Sequence, residues 1–203
     1  MKTNSLLSIL LLSIIYVSCD KNDDSPQLLE IESNQIANLA AIQASDYSTN
    51  PPTITGDYIK FNFKTGAATT GIDWDIAFRG TTILVNGGEA SASDQPERQG
   101  NASVYLTSGT LASVENVDTT LLTQDSTTEL AVTTGSDNGW YNYNSTTHEI
   151  SPIAGKILVV KTHDGKFAKV EILNYYKDMD TSGESQYYTF NYVYQPNEGI
   201  TTF

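Results

Sequence analysis

The chain has 203 residues, of which 24 are acidic and 11 are basic, and its formal net charge is −13. So much negative charge argues against nucleic acid and against anionic lipid headgroups as partners. The single cysteine excludes an internal disulfide. Twelve tyrosines, abundant threonine and few helical patterns favour β-structure, and the length suits one domain with a substantial core.

The first 18 residues have the features of a signal peptide. Lys2 precedes an apolar run from Leu6 to Val17, which matches a signal h-region and is short for a bilayer span. Cys19 follows Ser18 directly and resembles a lipobox cysteine, whose thiol is acylated. The alternative is an ordinary secretory signal with an incidental thiol. We predict a lipoprotein signal peptide (1–18), a lipidated acidic tether (19–26) and one β domain (27–203).

The domain begins with an ambiguous stretch and then a clear strand. Residues 27–47 fit neither a helical nor a strand period, and we predict an extended entry segment. The sequence Asn50-Pro51-Pro52 excludes helix there. Apolar residues alternate from Tyr58 to Phe63 before the turn at Thr65-Gly66, which predicts a strand.

The stretch from Trp74 to Val85, bounded by glycines, predicts a pair of central strands. Alternation predicts that Trp74, Ile76 and Phe78 face the core. Asp73 and Asp75 then share the opposite face. We interpret that face as solvated, and a calcium-binding pair is the less favoured alternative.

The middle of the chain is weakly patterned. Residues 87–100 have the composition of a long surface loop, and Val104 to Thr107 predicts a strand. Residues 113–131 receive no assignment. Thr119 and Ser126 each follow an aspartate, as in short Asp-Ser/Thr O-glycosylation acceptors, but chance matches are the favoured explanation.

The last third predicts four strands, which are Trp140 to Tyr143, Lys156 to Thr162, Lys166 to Tyr176 and Tyr187 to Tyr194. Asp164-Gly165 between the second and third is a strong hairpin signal, so we predict an antiparallel meander. In a meander, the loops 144–155 and 177–186 share one end of the sheet and the turn at His163 lies at the other.

These two loops carry the candidate ligands. His148 lies in the first and Met179 in the second, and both imidazole nitrogen and thioether sulfur are axial ligands of haem iron. Tyr141 and Tyr143 are candidates to line a flat ligand beside them. The alternative to haem ligation is that His148 is an exposed loop residue and that Met179 makes only an incidental apolar contact. These two residues taken alone favour that alternative. No motif for hydrolysis, phosphate binding or dinucleotide binding occurs, so we predict no enzymatic activity.

Several segments together resemble the HmuY-like haem-binding lipoproteins of Bacteroidetes. They are Trp74-Asp75-Ile76-Ala77-Phe78 with Asn86-Gly87-Gly88, Asn138-Gly139-Trp140, the 161–170 hairpin, Tyr175-Tyr176 and the terminal strand 188–194. The resemblance implies an all-β, hand-like antiparallel domain that captures haem b at the cell surface. It also implies delivery to a TonB-dependent outer-membrane receptor, with the lipid of Cys19 in the outer membrane and the domain facing the exterior.

The chain departs from the family pattern at the ligands. The resemblance implies one His or Met shortly after Gly139-Trp140, and His148 takes that role a few residues later than expected. The second ligand is expected before this element, yet residues 114–136 contain no His, Met or Cys. Met179 as replacement, a five-coordinate iron and a different ligand all remain open. An adhesion or glycan-binding accessory lipoprotein with exposed tyrosines is the alternative function.

Overall fold

The computed structural model describes residues 27–203. The predicted signal peptide, Cys19 and the rest of the tether lie outside the described residues. From residue 27 onward the chain forms β-strands and one 3₁₀ turn, Lys177–Met179. The predicted all-β class is confirmed. Among the described residues, no helix is long and apolar enough to cross a membrane.

The strands are numbered in chain order. Their bounds are β1 Glu32–Ala40, β2 Ala44–Asp46, β3 Thr53–Thr55, β4 Ile59–Asn62, β5 Ala67–Thr69, β6 Ile76–Arg79, β7 Thr82–Val85, β8 Ser103–Ser108, β9 Tyr141–Asn144, β10 Glu149–Pro152, β11 Lys156–Lys161, β12 Phe167–Tyr176 and β13 Ser185–Gln195.

The larger sheet has five antiparallel strands in the order β1-β13-β12-β11-β8. Its strands β11, β12 and β13 follow one another along the chain and form the predicted C-terminal meander. Gly165, at φ +89°, lies in the turn between the first two. The extended entry segment contains β1, which pairs along one edge with β13. The prediction of an extended segment is therefore confirmed.

The first of the four predicted C-terminal strands lies outside the meander. β9 pairs with β10 in a separate two-stranded sheet. The sequence-based prediction treated 144–155 as one loop, because Ser145-Thr146-Thr147 has no apolar alternation and β10 has only one large apolar residue, Ile150. The hairpin rests on the meander, since the backbone N–H of Ile150 donates to the hydroxyl of Tyr176 at 2.9 Å.

The second large sheet has the order β5-β4-β6-β7. The predicted strand pair is β6 and β7, but its predicted place in the middle of a sheet was wrong for β7, which lies at the edge. The main core lies between this sheet and the five-stranded one. Ile76 and Phe78 from the smaller sheet enter it, as do alternate residues of β13. The rings of Phe61 and Phe190 meet edge to face, with centroids 5.4 Å apart. Such burial of large aromatic side chains dominates the stability of a domain of this size.

Trp74 does not share the core face with Ile76 and Phe78, so that prediction was wrong. The strand begins only at Ile76, and alternation does not extend back to Trp74. The indole packs on the outer face of the smaller sheet with Ala77 and Leu84. The prediction of a solvated aspartate face was also wrong for Asp75, which is buried.

Candidate functional site

The hairpin β9–β10 presents His148 at its tip. The side-chain oxygen of Asn144 accepts hydrogen bonds from the backbone N–H groups of Thr146 and Thr147, at 2.9 and 3.3 Å. The N–H of His148 donates to the carbonyl of Asn144 at 2.7 Å and closes the turn. His148 has φ +60°, a conformation that non-glycine residues adopt mainly in tight turns. The asparagine therefore fixes the backbone from which the imidazole projects.

A second contact orients the imidazole itself. The hydroxyl of Tyr143 lies 2.6 Å from Nδ1 of His148, and the two ring centroids are 6.1 Å apart. Both side chains are exposed. Metal-ligating histidines usually have one ring nitrogen held by a second group, which leaves the other nitrogen for the metal. The structure thus brings two of the four predicted site residues together, with Nε2 of His148 left for a ligand.

Tyr141 occupies a different environment from Tyr143, although both belong to β9. It is buried, and its ring centroid lies 5.0 Å from that of Trp140. Trp140 also packs against Tyr175 and Tyr188 and donates its Nε1–H to the carbonyl of Thr81 at 2.9 Å. The pKa values of Tyr175 and Tyr188 are raised by burial, which agrees with this packing. Through Trp140, Tyr141 therefore belongs to a buried aromatic cluster with Tyr175 and Tyr188, which we call the aromatic base of the hairpin.

Met179 closes the 3₁₀ turn after β12, and its side chain is 52% exposed. Asp178 and Met179 both have positive φ, at 54° and 60°. Two hydrogen bonds hold the turn to β1, because Asn38 donates Nδ2–H to Asp178 at 2.7 Å and accepts its backbone N–H at 2.8 Å. The thioether is thus presented to solvent from a braced backbone.

The two candidate ligands lie at the same end of the meander. Ile150, two residues after His148, is bonded to Tyr176, three residues before Met179. The turn at His163 joins the opposite ends of β11 and β12. The hairpin β2–β3 starts from the Met179 end as well, since Gln43 donates its backbone N–H to the side chain of Gln186 at 2.5 Å.

A buried polar cluster at the opposite end was not predicted as a unit. Oδ1 of Asp75 accepts from the backbone N–H of His163 at 2.9 Å, and its Oδ2 accepts from the N–H of Phe63 at 2.7 Å. Asn86 is fully buried and joins four backbone groups there. In the sequence, Asp75 and Asn86 each stand beside a run of apolar residues, and this was the available signal that they are buried. This cluster is structural, since its polar atoms are consumed by backbone partners.

No group of three or more His, Cys, Asp or Glu side chains that could hold a bare metal ion occurs within residues 27–203. A metal at the hairpin end would therefore need ligands of its own, as the iron of haem brings with its macrocycle. The donor set fits haem in kind, with one imidazole nitrogen and one thioether sulfur both open to solvent.

Comparison with known proteins places the chain in a family. A family model described as HmuY protein matches residues 54–192, which is more than half of the chain. No curated protein matches significantly.

Three solved structures resemble the chain at low identity. An apo HmuY analogue of Tannerella forsythia has 16% identity and a TM-score of 0.49, covering 84% of this chain and 99% of that chain. A candidate lipoprotein of Bacteroides fragilis has 14% identity and a TM-score of 0.49, and the match covers 84% of this chain and 96% of that chain. A candidate HmuY-like haem-binding protein of Bacteroides vulgatus has 15% identity and a TM-score of 0.47, and the match covers 82% of this chain and 93% of that chain. The assignment rests on the family model alone, and by that match the chain belongs to the HmuY family.

Proposed function

We propose that this protein is a non-enzymatic surface lipoprotein that binds haem b between its two exposed loops. The observation that carries the proposal is the family match over residues 54–192, a span that includes both His148 and Met179. Bound haem would supply an iron centre that accepts imidazole nitrogen and thioether sulfur. His148 would hold it through Nε2, and Met179 would hold it through its thioether sulfur.

The surroundings of His148 support its role as a ligand. The Tyr143 hydroxyl, 2.6 Å from Nδ1, limits rotation of the imidazole and leaves Nε2 without a partner among residues 27–203. A ring that is already oriented loses less conformational freedom when it binds iron. Exposed Tyr143, 44% accessible, adds an aromatic edge beside the ligand.

The distribution of tyrosines speaks against the alternative of an adhesin with exposed tyrosines. Seven of them are buried, namely Tyr105, Tyr141, Tyr175, Tyr176, Tyr188, Tyr192 and Tyr194. Among the described residues, only Tyr47 and Tyr143 are highly exposed, at 79% and 44%. The tyrosine richness of the sequence is chiefly a property of the core.

A haemin titration of the purified full-length protein tests the binding proposal. We expect a sharp Soret band that saturates near one equivalent, altered by His148→Ala and by Met179→Ala and unchanged by Thr147→Ala, a control at the same hairpin tip. A spectrum of loosely adsorbed haem, or one that neither ligand variant changes, would overturn the proposal.

We propose further that Cys19 carries lipid in the outer membrane and that the domain passes haem to a TonB-dependent receptor. Cys19→Ala should release the protein from the membrane fraction, and protease added to intact cells should cleave the wild-type domain. A deletion strain should grow poorly with haemin as its iron source, and the wild-type gene should restore growth where the His148→Ala gene does not. Equal growth of all strains would contradict delivery.

A further inference from the structure

A second candidate site lies on the outer face of the smaller sheet. A cleft of about 510 Å³ opens between the start of β4, the end of β5 and the loop 93–96. Tyr58 lines it and packs beneath against the cluster of Trp74, Ala77 and Leu84. None of the residues that line the cleft belongs to the β9–β10 hairpin or to the 3₁₀ turn. The cleft is therefore separate from the proposed haem site.

Arg79 supports two walls of this cleft from behind. Its guanidinium carbon lies 4.0 Å from the centroid of the Tyr58 ring. Its Nη1 donates to Oδ2 of Asp94 at 2.7 Å and to the carbonyl of Gly56 at 3.2 Å. The Arg79 side chain is only 9% exposed, and its Nε has no partner within the described residues. Burying a charge with an unpaired donor costs stability. The buried guanidinium of Arg79 is thus better suited to positioning the Tyr58 ring and the Asp94 carboxylate than to stabilising the fold.

The polar groups around the ring are still free to bind. Within residues 27–203, no hydrogen bond uses Oδ1 of Asp94, the carboxylate of Asp57 or the hydroxyls of Ser93 and Thr70. Burial raises the pKa of Tyr58, so its hydroxyl stays protonated and able to donate. The cleft therefore offers several acceptors and hydroxyls beside one aromatic ring.

The charges select a neutral ligand. Two carboxylates line the cleft, and its one lining cation, Lys60, donates to the carbonyls of Thr70 and Gly71 at 2.8 and 2.6 Å. An anionic ligand would face the carboxylates with little compensation. A cationic ligand would lie near the guanidinium of Arg79, which already occupies one face of the Tyr58 ring. Neither charged class is favoured.

We propose that this cleft binds a neutral pyranose sugar. The apolar C–H face of the sugar packs on the face of the Tyr58 ring opposite to Arg79, and neighbouring hydroxyls donate to the free oxygens of Asp94 and Asp57. A hydroxyl that donates to a carboxylate makes a stronger hydrogen bond than one between neutral groups. The cleft volume lies in the range of small-molecule sites, about 300–1,000 Å³. Arg79 acts as a positioning residue that holds both walls.

Saturation-transfer NMR on the purified full-length protein tests this site. The probes are the methyl glycosides of glucose, galactose and mannose, with glucuronic acid as a charged comparison. We expect at least one neutral probe to bind, and its affinity to fall by about tenfold or more in Asp94→Asn and in Tyr58→Leu. Tyr47→Leu, which removes an exposed tyrosine elsewhere, should leave binding unchanged.

Absence of binding by all three glycosides would overturn the proposal, and so would binding that persists in both cleft variants. If Tyr58→Leu does not fold, Asp94→Asn decides, since it replaces an exposed carboxylate with an amide of the same shape. The haemin spectrum of Asp94→Asn should match that of the wild type. Failure of the sugar site is thereby distinguishable from failure of the haem proposal.

Discussion

The imidazole Nδ1 of His163 lies 2.7 Å from Oδ1 of Asp75, although 88 residues separate them in the chain. The same carboxylate accepts the N–H of Phe63, so a single side chain joins β4, the entry to β6 and the turn of the meander. Asp75 is 1% exposed and His163 is 22% exposed at the side chain. The pair connects the two large sheets at the end opposite to His148.

This contact predicts a pH-dependent part of the stability. The hydrogen bond that His163 donates to Asp75 raises the pKa of the imidazole above the ordinary value of 6.5. Folding therefore favours the protonated ring, and its stabilisation is fully present below pH 6.5 and lost as the pH rises through the raised value. We expect His163→Gln to be less stable than the wild type at acidic pH, because it lacks the charged hydrogen bond to Asp75. The expected loss is only about 1 kcal/mol, since solvent screens the partly exposed ring.

Urea unfolding across a pH series measures this difference. The gap between wild type and His163→Gln should narrow as the pH becomes alkaline. In an Asp75→Asn background, replacing His163 should produce no such pH dependence. A gap that stays constant with pH in the wild-type background would contradict the assignment.

Asn86 is predicted to be the most costly polar residue to truncate. Its Nδ2 donates to the carbonyls of Ile72 and Trp74, at 2.9 and 2.8 Å, and its Oδ1 accepts from the N–H groups of Gln99 and Gly100. Asn86→Ala leaves the buried carbonyl of Trp74 and three part-buried backbone groups without these partners. We therefore expect a loss of about 3 kcal/mol in the free energy of unfolding.

Gln35→Ala provides the control for Asn86→Ala. Gln35 makes one exposed hydrogen bond, to Asn191 at 2.9 Å. Its truncation should change the free energy of unfolding by about 0.5 kcal/mol or less. Equal losses for the two variants, measured by denaturant unfolding, would show that the Asn86 network does not hold the loop 99–100.

Tyr143→Phe separates orientation of the imidazole from its ligation. The variant keeps the aromatic ring and removes only the hydroxyl that lies 2.6 Å from Nδ1 of His148. Loss of such a supporting contact commonly weakens metal affinity by about tenfold. We expect haemin to bind more weakly by that factor while the stability of the domain changes little. Tyr47→Phe is the matched control, and equal affinity of the two variants would remove Tyr143 from the site.

Trp140→Phe tests the aromatic base under the hairpin. The substitution removes the Nε1–H donated to Thr81 and leaves a smaller ring among Tyr141, Tyr175 and Tyr188. We expect a loss of about 2 kcal/mol and faster hydrogen exchange at the amide of Ile150. Trp74→Phe is the comparison, because Trp74 makes no hydrogen bond through its indole to residues 27–203 and should lose less.

The strands that sequence predicts well are those with regular apolar alternation. β11, β12 and β13 carry aliphatic or aromatic residues at every second position, and Asp164-Gly165 supplies the turn chemistry. β10 could not be predicted in this way, since its support comes from pairing with β9 and from the hydroxyl of Tyr176. Part of that support comes from a residue 26 positions further along the chain, which no local pattern reveals.

The candidate sites likewise combine residues that the sequence reveals with contacts that only the folded structure reveals. His148 and Met179 are visible in sequence because few residue types bind iron. The contact of Tyr143 with His148 depends on a turn built by Asn144, which composition does not reveal. The cleft at Tyr58 was missed altogether, since Arg79 and Asp94 lie 15 residues apart and belong to a strand and a loop. Burial of Asp75 likewise depends on Phe63 and His163, which no local pattern connects to it.

The antiparallel pairing of β1 with β13 places the start of the domain and the 3₁₀ turn at opposite ends of one strand. Glu32 lies opposite Tyr194, and Ala40 lies opposite Tyr187, close to the 3₁₀ turn. The backbone of Leu29 is held by Asn197, two residues beyond the end of β13. The chain thus enters the domain about 30 Å along the strand from Met179. If Cys19 carries lipid as proposed, the attachment begins at the end of the domain that lies away from His148 and Met179, so the chain between Cys19 and the domain would leave those two loops uncovered.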